Sequence, residues 1–335
     1  MLRYTVRRLG QMVVVLFVLS ILLFAWLRSL PGGPVSALLG DRATPAARAE
    51  LTKTLGLDRP IFLQYFDFLG RAVRGDFGQS TAVQPGSSAM QILVQRFPAT
   101  LELSVVAIIL AILFGIPLGY IAARRRGGIW DNLSIGGSLL GVAVPVFFLA
   151  FLLKYLFAVK AGILPSAGRQ DAIDATRITG FFILDGILTQ EWDAAWNALE
   201  HLILPAVALA TIPFAVIFRI TRAAVLDVQQ EDFVRTAESK GLRIPIIRRR
   251  HILRNAMLPV VTTIGIQIGQ LLAGAVLTER VFAYPGVGDA LATAFQRKDY
   301  PLLQLLIIAA ALVYVVVNLI VDLSYAYIDP RIRTR

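Results

Sequence analysis

"LGQMVVVLFVLSILLFAWL", residues 9–27, runs nineteen residues without a charge. At the helical rise it spans about 28 Å, enough to cross the hydrocarbon core of a bilayer. The stretch follows "MLRYTVRR", so a cleaved leader is the competing reading. Its apolar run exceeds that of a leader, and "LRSLPGGP" follows where small residues would mark a cleavage site. We read it as a retained membrane helix.

Five more stretches read the same way: 101–123, 133–159, 202–218, 257–278 and 302–321. The expected fold is an all-α integral membrane protein with six transmembrane helices, one transmembrane domain over residues 1–335. "FFILDGIL", residues 181–188, is too short to cross and carries Asp185, so it belongs to a loop or a re-entrant piece. A chain that is 56% hydrophobic and 16% charged, with a mean hydropathy of +0.68, fits this class.

Even spans put both termini on one side, and basic residues say which. Residues 1–8, 124–131, 219–256 and 323–335 hold 18 Lys/Arg in 67 positions. The opposite segments, 28–100, 160–201 and 279–301, hold 14 in 138. The first set is therefore cytoplasmic and the second extracytoplasmic. The net charge of +11 is an orientation signal, so nucleic acid is not an expected partner.

Several chemistries drop out. With no cysteine there is no disulfide, thiol nucleophile or Cys metal site. His201 and His251 are fifty residues apart, not at metal-ligand spacing, so no metal is expected. The few ionisable residues in the spans are peripheral: Glu102 and Glu279 near outer ends, Asp322 near an inner end, Lys154 within reach of the outer surface. They read as anchors or helix-to-helix partners, which argues against an ion-coupled transporter. No catalytic cluster lies mid-span, so no enzyme is expected. Pro117, Pro145, Pro205, Pro213 and Pro259 interrupt or enter spans, and Gly115/Gly119, Gly137/Gly141 and Gly265/Gly269 make small-residue pairs for close helix packing.

One cytoplasmic segment, 223–256, is organised beyond what orientation needs. Between Arg235 and Arg254 lie seven basic residues and one acidic one. Asp227, Glu231 and Asp232 precede "FVRTAESK" and Gly241 follows, the start and stop signals of a short helix. Phe233 and Ala237, four apart, give it a small apolar face. Pro245 suits the first turn of a second helix returning to the membrane. The expectation is helix, glycine turn, helix: a docking element.

"DFVRTAESKGL", "RHILRNAMLPVVT", "ERVFAYPGVGDAL", "KDYPLLQ" and "DLSYAYIDPRIR", with "LGLDRPIFLQYFDFLGRAVRGDFGQS" and "RFPATLELSVVAIILAILFGIPLG" upstream, cover nearly the whole chain. In that order they resemble the permeases of bacterial binding-protein-dependent ABC importers, in the dipeptide, oligopeptide and nickel branch. The resemblance implies a permease-like bundle with a cytoplasmic coupling helix. It makes Phe233, Val234, Arg235, Thr236, Ala237, Glu238, Lys240, Gly241 and Leu242 the ATPase-coupling loop. Ala237 and Gly241 match the loop's alanine and glycine, while Arg235 and Thr236 depart from its usual glutamate and alanine. Small Ala237 would permit close approach to the ATPase.

The resemblance further implies a second related permease, one or two ATP-binding subunits and an extracytoplasmic substrate-binding protein as partners. It sets them in a bacterial inner membrane, among lipids. The cargo would be a di- or oligopeptide; nickel or another small solute is the alternative. No GxxxxGK[ST] occurs, so ATP and magnesium are expected in the partner ATPase and no cofactor on this chain. The outer segments are read as binding-protein landmarks or turns, with Trp192 and Trp196 on an amphipathic piece at the membrane surface.

Overall fold

A computed structural model describes residues 2–29, 35, 39, 44–54, 56–129, 135–137, 141 and 143–328. The described residues are helical apart from turns and one isolated bridge, Gln79 to Ser88. Eleven helices carry the argument: α1 Leu2–Ser29, α2 Pro45–Thr54, α3 Ile61–Val73, α4 Ala89–Arg124, α5 Val146–Leu153, α6 Phe182–Leu188, α7 Trp192–Gln229, α8 Asp232–Ser239, α9 Arg254–Val281, α10 Val287–Gln296 and α11 Tyr300–Ile328. Five stretches are long and apolar enough to cross a membrane, within α1, α4, α7, α9 with the turns before it, and α11. The sixth expected span, 133–159, lies partly outside the described residues. Its described end is α5 followed by a π-helical stretch, Lys154–Lys160.

The chain divides into two compact units, residues 1–98 with 285–315 and residues 99–284 with 316–335, where the sequence reads as one domain. In the first unit α1 meets α3 through rings. Phe24 lies 5.5 Å from Tyr65 and 5.7 Å from Phe68, and Ser20 shares a 2.8 Å hydrogen bond with the Tyr65 hydroxyl. Leu23, Leu27, Ile92, Leu302 and Leu306 form the core beside them. The other side of α1 leaves Val14, Val18 and Leu22 exposed, which suits a lipid-facing surface. The same unit buries Asp299 completely. Its carboxylate accepts from the Ser80 hydroxyl at 2.5 Å and from the backbone N–H groups of Thr81, Ala82 and Val83 at 3.0–3.1 Å. Two of the strings quoted above, "GDFGQS" and "KDYPLLQ", thus meet at one buried charge.

In the second unit α7 is the central post. Its 38 residues extend about 57 Å, and its alanine-rich faces, with Leu202, Ile217 and Phe218, are buried. Pro205 and Pro213 both lie inside this continuous helix. Gly119 of α4 lets α7 approach closely: a Cβ there would sit 2.7 Å from the Phe218 carbonyl oxygen. A Cβ at Gly137, by contrast, would meet nothing within 4 Å among the described residues.

Of the ionisable residues read as anchors or helix-to-helix partners, Glu102, Glu279 and Lys154 have partners inside this unit. Arg169 pairs with Glu102 at 2.6 Å, both nearly buried, and its guanidinium lies 3.8 Å from the Phe182 ring centroid. Glu279 accepts from Thr100 at 2.6 Å, and Lys154 donates to the Val281 carbonyl at 2.8 Å. "FFILDGIL" folds as the short helix α6, with Asp185 buried and accepting from Thr179 and Gly180. Trp192 and Trp196 stand exposed on the first two turns of α7 rather than on a separate surface piece. The helix was entered early because "EWDAAWNALEH" continues its register without a breaker.

Candidate functional site

The basic segment folds as a hairpin. The helix α8 begins behind Glu231 with Asp232 in its first turn, where a negative charge meets the unpaired N–H groups of the helix start. Thr236 and Ser239 return their hydroxyls to the carbonyls of Asp232 and Arg235. The stop is a six-residue cap: the Leu242 N–H reaches the Ala237 carbonyl at 3.3 Å and the Gly241 N–H the Glu238 carbonyl at 2.9 Å. That pattern needs a left-handed residue at its turn, and Gly241 supplies it with φ +69°.

The return limb opens with Pro245 in a single turn, Ile244–Ile246, then a π-helical stretch, Ile247–Leu253. Bonding from i to i+5 widens this turn, so positions five apart share a face. Ile247 and Ile252 are both buried, while Arg249 and Arg250 between them are exposed. The π-helical stretch therefore separates the apolar contacts from the guanidinium groups within seven residues.

Two limbs pack on each other and on the membrane helices through one cluster. Val234 and Ala237 of α8, 3% and 4% exposed, join Ile247, Ile252, Ala256, Ala123, Ala224 and Val225. This corrects the expected apolar face. Phe233 is 41% exposed, and the inward pair is Val234 with Ala237, three apart. The hairpin's own limb occupies the face on which Ala237 lies, so its small size serves the close approach of that limb. The outward residues of the expected loop are Phe233, Arg235, Thr236, Glu238, Lys240, Gly241 and Leu242. Arg235 lies 3.9 Å from Asp232, one turn back and also exposed, a contact of little energetic weight.

Sequence reasoning missed two further members of this surface. Ile244 and Ile246 are 60% and 43% exposed beside exposed Leu242. They form an exposed apolar patch amid arginines, the composition found at protein interfaces. The signal was present as "GLRIPII", whose isoleucines exceed what one buried position needs.

Comparison with known proteins shows the family. Residues 115–334 match the family described as "Binding-protein-dependent transport system inner membrane component". Residues 1–104 match the N-terminal region described for the membrane component of the same systems. The di/tripeptide transport system permease protein of Pseudomonas aeruginosa is 43% identical over 335 residues, covering 99% of each chain. The dipeptide transport system permease protein of Escherichia coli K12 is 42% identical over 338 residues, again covering 99% of each. That of Alkalihalophilus pseudofirmus is 39% identical over 334 residues, 99% of this chain and 100% of its own.

Proposed function

This chain belongs to the inner-membrane components of binding-protein-dependent transport systems, and from that membership we propose that it is the permease subunit of a peptide importer. It forms half of a translocation path beside a second, related permease. The observation that carries the reading is full-length likeness to di- and tripeptide permeases at 39–43% identity. The hydrolysis of ATP, with its magnesium, takes place on separate subunits below the membrane, and a substrate-binding protein delivers peptide from above. Both termini lie in the cytoplasm, as the distribution of Lys and Arg favours.

The hairpin is the handle on which the ATPases pull. A coupling element must be stiff and must seat in a cleft. The glycine-capped α8, clamped to the membrane helices through Val234 and Ala237, meets the first need. Its outward face, Phe233 and Leu242 with Ile244, meets the second by burying apolar area, while Arg235 and Lys240 pair with acidic groups around it. Nucleotide-driven closure of two ATPases would then rotate the helices behind the hairpin as one body and exchange outward-open for inward-open states.

Reconstitution tests this. In proteoliposomes carrying the permease pair, the ATPases and the binding protein, uptake of a labelled dipeptide should require ATP and every partner. Uptake on an ion gradient by this chain alone would overturn the reading. Uptake of nickel but not peptide by the full set would overturn the substrate assignment.

A further inference from the structure

The first unit holds a cavity of about 460 Å³, within the size range of small-molecule sites. Its floor is aromatic and aliphatic, with Phe24, Leu27, Phe68 and Phe77, and its rim carries Arg28, Arg71 and Lys298. Among the described residues no carboxylate lines it. Nor is any of these three cations paired with a carboxylate among the described residues. Arg28 lies over the Phe24 ring, 5.0 Å from its centroid, which sets its charge against the floor. Gln64 also lines the cavity. Its Nε2 donates to the carbonyls of Leu57 and Arg59, but its Oε1 is buried without a donor.

Like charges gathered without a counterion repel, and the half-burial of Arg28 raises that cost, while Arg71 and Lys298 are exposed. An arrangement of this kind is made favourable by an anion. Depth narrows the choice. Arg28 stands two residues beyond Trp26, at the end of the apolar stretch Val6–Ser29. Trp26 is 40% exposed and stacks on Phe295 at 6.4 Å, and Tyr300 opens the stretch Tyr300–Val321. Aromatic residues at the ends of spans mark the headgroup level. Along α1 from this level, the exposed Val18, Ile21 and Leu22 offer a track for acyl chains. A soluble anion needs neither the depth nor the track.

We propose that this cavity is a headgroup site for an anionic phospholipid of the phosphatidylglycerol type. Arg28 and Arg71 hold the phosphate, with Lys298 beside them at the cavity. Basic pockets between membrane helices bind such headgroups in general; here the three cations, their depth and the apolar track on α1 point to an anionic lipid.

The test uses the assembled importer, purified from vesicles of mixed phosphatidylethanolamine and phosphatidylglycerol, with retained lipid measured by mass spectrometry. The wild type should keep phosphatidylglycerol preferentially. Arg28→Gln with Arg71→Gln should lower its retention roughly tenfold or more, from two lost surface cations, and Arg28→Lys with Arg71→Lys should restore much of it. Equal retention by wild type and the double glutamine variant would overturn the site. So would displacement of the lipid by millimolar inorganic phosphate, which would make it a free-anion site. Should the double variant fail to assemble, a photoreactive phosphatidylglycerol added to the wild type decides. Labelling of residues 57–81 or 298–304 supports the proposal, and labelling confined to other peptides contradicts it.

Discussion

Replacing Gly241 isolates the stiffness of the hairpin from the chemistry of its surface. Gly241 sits at φ +69°, and a Cβ placed on it would meet nothing within 4 Å. Alanine therefore pays only the backbone penalty of the left-handed region, about 1 kcal/mol, and asparagine pays less. Proline cannot reach that φ and also removes the N–H that bonds Glu238 at 2.9 Å. Together these cost roughly 2–4 kcal/mol. A loss of 1 kcal/mol changes the closed-to-open ratio of the hairpin about fivefold, and 3 kcal/mol more than a hundredfold. Amide exchange over residues 232–242 should accelerate in the order Gly, Asn, Ala, Pro. Peptide imported per ATP hydrolysed should fall in the same order, with the protein still in the membrane. A Gly241→Pro variant with unchanged exchange and unchanged coupling would refute the view that the cap carries the stiffness.

Three other outcomes follow from the buried polar groups and the tight crossing. Arg169→Met strands the Glu102 carboxylate and should cost about 3–5 kcal/mol, whereas adding Glu102→Leu should recover part of it; thermal unfolding in detergent measures both. Burial alone pushes the Asp299 carboxyl upward, but the Ser80 hydroxyl and the N–H groups of Val83, Ala82 and Thr81 outweigh it and hold it below the ordinary carboxylate range. Because the folded value lies below the unfolded one, the stabilisation is full above about pH 4, the unfolded value. It is lost as pH falls through the depressed folded value, so the stability gap between wild type and Asp299→Asn should close only in acid, read by proteolysis between residues 76 and 98. Gly119→Ala sets a Cβ 2.7 Å from a backbone carbonyl and should destabilise the α4–α7 crossing by about 1–3 kcal/mol, seen as a lowered Tm.

Five of the six expected spans were legible because nearly twenty apolar residues in a row have few alternative uses. Their ends were not. The helix α4 begins at Ala89, twelve residues before the expected span, because "AMQILVQRFPAT" mixes Gln91, Gln95 and Arg96 with apolar residues and carries Pro98. Hydropathy discounts such a stretch, while packing of Ala89 and Ile92 into the core of the first unit supports it. The hairpin was legible from its acids, glycine and proline. Its orientation was not, since Phe233 with Ala237 and Val234 with Ala237 both fit a helical period. The choice rests on Ile247, Ile252 and Ala256, residues of the other limb. Likewise Ser80 with Asp299 and Arg169 with Glu102 join residues 219 and 67 apart, and no local pattern pairs them.

The account rests on the outward face of α8 being gripped by an ATP-hydrolysing neighbour, and the lack of native cysteine makes a direct measurement possible. Single cysteines at positions 233, 235 and 240 should crosslink to the ATPase subunit in the assembled importer, with a yield that changes on adding nucleotide. Cysteines at positions 234 and 237, facing the hairpin's own core, should not. Crosslinking from 234 and 237 but not from 233, 235 and 240, or labelling of the outward set by an impermeant reagent on intact cells, would contradict the account.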